Sequence, residues 1–216
     1  MKKNLYFLLL TASLLFATLA CGLGGEESAA PVSDGVLFSD DFSDPGSGWD
    51  RASTDKGITD YADGIYRIWV NTDNTDIWAN PGKNFTDTII EVEATKVGGP
   101  DDNDFGIQCR YQDTQNYYFF IISSDGFYGI GLTQNGNQSL LGEDQLLPSD
   151  AIKQGNVTNS IRVNCIGNTL TLFANGTQLI SVQDDTFSSG DVGLLAGTYN
   201  EVGTDIHFDN FVVLEP

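Results

Sequence analysis

From Val36 to Pro216 the chain repeats one pattern, a short β-branched or aromatic run followed by a cluster of Gly, Asn or Asp. No stretch sustains a 3.6-residue apolar period, so helices are excluded as the organising element and the body reads as nearly all β. Strands are expected at 36–42, 64–70, 76–80, 88–97, 104–112, 117–123, 127–133, 138–142, 159–166, 169–174, 177–183, 191–198 and 205–214. Asp63-Gly64, Asp125-Gly126, Asn135-Gly136 and Asn175-Gly176 supply the positive φ that tight hairpins require. Ile90, Val92 and Ala94 alternate with Ile89, Glu91 and Glu93, and Leu170, Leu172 and Ala174 with Thr169, Thr171 and Phe173, as expected of strands that bury one face. The run Tyr117–Ile122 is apolar on both faces, so it is either a central strand covered twice or a strand with one aromatic binding face. So many short strands in one body fit a two-sheet sandwich better than a small barrel.

The first residues obey different rules. Lys2 and Lys3 precede an uncharged, mostly apolar run from Leu5 to Ala20, shorter than the roughly 20 residues a membrane-spanning helix needs. Residues 1–20 therefore read as a secretion signal. Thr18-Leu19-Ala20-Cys21 resembles the lipobox of bacterial lipoproteins, with Thr18 where Leu is usual. That resemblance implies cleavage before Cys21, its modification with palmitate-type acyl chains, and residence on the extracytoplasmic face of a bacterial membrane or at the cell surface. More than one acyl chain anchors stably without a spanning helix, each buried CH₂ contributing ~0.8 kcal/mol. Residues 21–35 then form the lipidated end and a Gly/Ser/Ala-rich tether, and 36–216 the folded domain.

With Cys21 committed to lipid, Cys109 and Cys165 remain. Each falls on the apolar phase of its strand, after Phe105 and Ile107 or after Ile161 and Val163, so both are expected to point into one core and, in an exported protein, to pair. The chain carries 30 acidic against 10 basic residues, a formal charge of −20, which makes nucleic acid an improbable partner. A single His leaves any catalytic reading to carboxylates.

The segments DDFSDPGSGW (40–49), Asp-Gly-Ile-Tyr-Arg (63–67), FGIQCRYQDTQNYYFFIISSDGFYGI (105–130), IRVNCIGNTLTLFANGTQL (161–179), GDVGLLAGT (190–198) and FDNFVV (208–213) resemble the concanavalin A-like lectin/glucanase sandwich. They are most similar to the laminin G-like and 3-keto-disaccharide hydrolase-like domains of bacterial surface lipoproteins. The resemblance implies a jelly roll of two antiparallel sheets, with sugar binding or glycoside cleavage on the concave face in many relatives. Function on such a scaffold belongs to the site and not to the fold.

Glu91 and Glu93 sit two apart on one strand, about 7 Å from each other on the same face. They are the candidate catalytic carboxylates, but family 16 glycoside hydrolases use Glu-x-Asp-x-x-Glu, and Lys96 stands where the last acid belongs. Sugar binding needs flat aromatic faces and planar polar groups. Gln108, Arg110, Tyr118 and Phe120 are the expected platform, with Trp69 and Trp78 as further candidates, while Trp49 is expected to plug the sandwich edge. Tyr111 can join only if a bulge re-aims it. No cofactor is required. Structural calcium is considered at Asp101, Asp102 and Asp104, or at Asp41 (or Asp40) with Asp209. His207, sharing its strand phase with Asp205 and Asp209, reads as part of a polar sheet face. The reading is thus a lipid-anchored glycan-binding module without catalysis. A glycoside hydrolase of the same fold and a purely structural envelope or adhesion module are its alternatives, and no oligomeric state is implied.

Overall fold

A computed structural model describes residues 35–216; the expected signal, Cys21 and all but the last residue of the tether lie outside the described residues. Sixteen strands follow in chain order: β1 (Val36–Asp40), β2 (Ala52–Ser53), β3 (Gly57–Ala62), β4 (Ile65–Val70), β5 (Thr75–Ala79), β6 (Thr88–Gly98), β7 (Asn103–Asp113), β8 (Asn116–Ile122), β9 (Phe127–Gln134), β10 (Asn137–Leu140), β11 (Leu147–Pro148), β12 (Thr158–Ile166), β13 (Thr169–Ala174), β14 (Thr177–Gln183), β15 (Asp191–Thr198) and β16 (Thr204–Leu214). No helix occurs among the described residues, and hence none long and apolar enough to cross a membrane. The strands form a nine-stranded sheet, ordered β14-β13-β12-β6-β16-β4-β3-β2 with β1 on β16, and a seven-stranded sheet, ordered β10-β9-β8-β7-β15-β5 with β11 on β9. Stacked face to face, they make the expected all-β jelly-roll sandwich.

Local chemistry explains most of this. Asp63-Gly64, Asn135-Gly136 and Asn175-Gly176 each place both residues at positive φ, and each closes a tight hairpin. At Asp125-Gly126 only the glycine has positive φ, and the wider turn is held by the Ser123 hydroxyl, which accepts the Phe127 N–H at 2.8 Å and donates to Asp125. The strands β2, β3 and β11 lie outside the sequence expectation. Two are two-residue edge pieces, and β3 carries Thr59 and Asp60 among its apolar residues, which hides its alternation.

The core between the sheets is filled by one phase of every long strand: Tyr66 and Ile68 from β4, Ile90 and Val92 from β6, Phe105 and Ile107 from β7, Tyr118 and Phe120 from β8, and Phe208 and Phe211 from β16. Trp49 is buried in it, edge-on to Phe211 at 4.9 Å, and its indole N–H donates to Asp40 at 2.9 Å. Asp40 also accepts the Phe42 N–H at 2.8 Å, so the DDFSDPGSGW segment is a side-chain-stapled turn that sets this plug. Cys109 and Cys165 form a disulfide with Cα atoms 6.9 Å apart, tying β7 of one sheet to β12 of the other across 56 residues of chain.

Candidate functional site

The opposite phase of the seven-stranded sheet faces away from this core. It carries Asp76 and Trp78 on β5, Leu195 and Gly197 on β15, Asp104 and Gln108 on β7, and Tyr117, Phe119 and Ile121 on β8. Strand β8 is therefore the central strand covered on both faces: on the outer side Tyr117, Phe119 and Ile121 are buried beneath the partly buried Trp78, Tyr111, Leu140 and Leu146. Trp78 packs on Tyr117 at 5.8 Å between ring centroids, Tyr117 on Tyr111 at 5.7 Å and on Phe119 at 6.4 Å. These rings form a ribbon across three strands. Beside it, Leu140 and Leu146 lean over the same face, and the Phe119 ring lies in the space a side chain on Gly131 would need.

A backbone irregularity puts Tyr111 in that ribbon. The β7-β8 and β7-β15 registers both shift near Arg110, whose φ is 51°, and the bulge turns Arg110 inward while Tyr111 moves to the outer face. The Arg110 guanidinium donates to the carbonyls of Phe187 (2.9 Å) and Thr86 (3.2 Å) and to Asp87 (3.1 Å).

Next to the ribbon is a cleft of about 400 Å³, floored by Phe119, Ile121 and Leu195 and walled by Asn74, Asp76, Asp104, Gln138, Ser139, Leu140, Leu146, Thr198 and Tyr199. It joins an apolar floor to convergent polar groups, the usual make-up of a small-ligand site. At its polar end Gly197 stands in register between Asp76 and Asp104. Asp104 is 4% exposed, and its Oδ1 has no hydrogen-bond partner. Burial first, then the charge of Asp76, raises the Asp104 pKa well above the ordinary carboxylate range. Burial raises Asp76 as well, and a hydrogen bond from Gln138 opposes that shift. The Tyr199 phenol is raised by burial and by the charge of Asp104.

The residues expected from sequence scatter. Tyr118 and Phe120 are fully buried between the sheets and cannot offer a sugar platform, which overturns that expectation. The Tyr118 hydroxyl donates to Asp184 and accepts the Phe187 N–H at 3.1 Å, and burial pushes its pKa up to about 12. Arg110 is also buried, for the reason of the bulge. Gln108 has the outward phase but is fully buried, its Oε1 accepting from Asn80 at 3.4 Å and its Nε2 unpartnered. Trp78 alone of the expected set joins the ribbon. Trp69 lies on the outer face of the other sheet, with the Arg67 guanidinium 5.9 Å from its ring centroid.

Glu91 and Glu93 also lie on that other face. Glu91 is 3.7 Å from Arg162, and Glu93 accepts from Asn210 at 3.3 Å. Asp209 stands opposite Glu93 in register, but neither glutamate lines the cleft. The calcium candidates diverge: Asp101 pairs with Lys96, Asp102 borders a separate hollow with Asp125, and Asp104 turns to Asp76. Strands β1 and β16 are neighbours as expected, yet Asp41 is engaged by Ser43 at 2.6 Å and Asp209 by the Asn210 N–H at 2.7 Å. Among the described residues no three or more His, Cys, Asp or Glu side chains gather as a metal centre. His207 is 3.8 Å from Asp205, which is held by Arg67 through two bonds of 2.8 and 2.7 Å.

No protein-family model and no curated protein matches this sequence. Solved structures do match the fold. The carbohydrate-binding module CBM66 from Bacillus subtilis superposes with a TM-score of 0.59 at 16% identity, covering 78% of this chain and 96% of that one. A Bacillus licheniformis β-glucanase gives 0.59 at 10% identity over 85% and 100% of the two chains. A Bacillus subtilis protein with a galectin-like fold gives 0.59 at 10% over 83% and 96%. The chain thus shares the jelly-roll sandwich of carbohydrate-binding modules and glycoside hydrolases.

Proposed function

We propose that this chain is a lipid-anchored, extracytoplasmic module that binds glycan on the outer face of its seven-stranded sheet, without catalysis. The observation that carries the reading is the pair of half-buried rings Trp78 and Tyr111, each packed on the buried Tyr117, beside a cleft with an apolar floor and polar walls. Aromatic faces stack on the apolar faces of pyranose or furanose rings, and the amide and carboxylate groups of the walls take up hydroxyls. The fold shared with carbohydrate-binding modules adds to that reading. A non-catalytic role suits Glu91 and Glu93, which sit on the opposite face of the sandwich from the cleft and are engaged there by Arg162 and Asn210. Cys21 is assigned as the anchor because it directly follows the apolar run and Ala20.

The test is a glycan-array screen of the detergent-solubilised full chain, with product analysis on every hit. Binding that Trp78→Ala reduces tenfold or more, with no cleaved product, is the expected result. Hits unaffected by Trp78→Ala, or cleavage of a bound glycan, refute the reading. In the same cells Cys21→Ser is expected to lose label from a palmitate analogue and to leave the membrane fraction.

A further inference from the structure

We propose that Asp76 and Asp104 form a binding site for a hard divalent cation of the calcium class at the polar end of the cleft. The argument begins with register. Strands β5 and β7 flank β15, and Gly197 is the residue facing both Asp76 and Asp104. With no side chain on Gly197, both carboxylates fold over it. The two oxygens of Asp104 each stand 2.7 Å from the point where a Gly197 Cβ would lie, and Asp76 Oδ1 is closer still. Three carboxylate oxygens thus converge on one small volume.

Among the described residues the groups that line the cleft beside them, Tyr199 and Gln138, are uncharged. The cleft lining contains no Lys, Arg or His. Lys96 is committed to Asp101 and Arg67 to Asp205. Asp104 is 4% exposed, and the oxygen it buries, Oδ1, is unpartnered. A buried polar atom without a partner costs free energy, and two carboxylates at this separation repel each other. A cation seated between them removes both penalties.

Ion choice follows from the donors. All are oxygens or can present one: the two carboxylates, the Gln138 and Asn74 amides and the Tyr199 hydroxyl line the same pocket. Ca²⁺ accepts six to eight oxygens at 2.3–2.6 Å in irregular arrangements, whereas Mg²⁺ demands a near-ideal octahedron at 2.0–2.1 Å. Two carboxylates from two strands suit the first. So few charged ligands place affinity in the range of extracellular modules, about 0.1–1 mM. The coordination positions left over face the cleft, where water or ligand hydroxyls can fill them. The site stands on its own geometry and survives if the glycan reading fails.

The full chain, stripped with EDTA, is titrated with CaCl₂ while its melting temperature is followed, and separately with Tb³⁺ while luminescence sensitised by Tyr199 is read. A ligand seen only by the native state raises the melt, here by roughly 3–10 °C at 10 mM Ca²⁺, and Ca²⁺ should displace Tb³⁺. Asp76→Asn and Asp104→Asn should each abolish both signals, and Asp101→Asn and Asp41→Asn should keep them. Circular dichroism confirms folding, and should Asp104→Asn fail to fold, Asp76→Asn decides alone. An unchanged melt with no Tb³⁺ luminescence in the wild type overturns the proposal, and so does a calcium response that persists in Asp76→Asn.

Discussion

Phe120 and Trp78 offer opposite outcomes from two truncations in one sheet. Phe120 is fully buried on β8, in register with Ile107 of β7 on one side and Ile130 of β9 on the other. Phe120→Ala removes a whole ring from a close-packed core, a change worth ~3–5 kcal/mol including the cavity left behind. At about 2–4 °C per kcal/mol for a domain of this size, the melting temperature should fall by roughly 6–20 °C. Trp78 is half-buried on the outer face with its ring against Tyr117, so Trp78→Ala should cost only about 1–2 kcal/mol and spend its effect on the proposed glycan binding. Equilibrium urea unfolding measures the first quantity, with an unchanged m-value showing that the same surface is exposed. A loss below 1 kcal/mol for Phe120→Ala together with a loss above 3 kcal/mol for Trp78→Ala would mean that the faces of this sheet are assigned the wrong way round.

Two further outcomes are expected. Replacing Cys109 and Cys165 together by Ala should destabilise by roughly 4 kcal/mol in the chain-entropy view, since the bridge closes a 56-residue separation, and non-reducing peptide mapping should find no free thiol at either position in the exported wild type. His207, the single histidine of the chain, has its pKa held below 6.5 by burial, partly opposed by Asp205. The unfolded chain therefore takes up that proton first as pH falls, so this stabilising contribution is present above about pH 6.5 and is lost as pH drops through the folded pKa. The wild-type minus His207→Gln difference in stability should accordingly decline just below pH 6.5, and a difference that is flat there removes His207 from the account.

The strand set was legible because period-two alternation and the turn pairs Asp63-Gly64, Asn135-Gly136 and Asn175-Gly176 are local signals, carried by neighbouring residues and answerable to local sterics. The disulfide was legible for the same reason: the phase of Cys109 beside Ile107, and of Cys165 beside Val163, says which face each thiol takes. The double-sided apolar run Tyr117–Ile122 even announced that β8 has two covered or working faces. It did not say which face met the other sheet: Tyr118 and Phe120 meet it, while Tyr117 and Phe119 are covered on the outer side by Trp78, Tyr111, Leu140 and Leu146.

Tertiary structure alone decided the rest. Alternation predicts the direction of a side chain only while the ladder is unbroken, and the bulge at Arg110 reverses it, burying the guanidinium against the Phe187 and Thr86 carbonyls and bringing Tyr111 to the ribbon. Asp104 sat in an acidic cluster with Asp101 and Asp102, yet its partner is Asp76, two strands away across Gly197. That meeting depends on strand order and on register, quantities set by how whole sheets pack. A side chain's phase is thus written in its neighbours, whereas its company is settled only when distant strands are brought together.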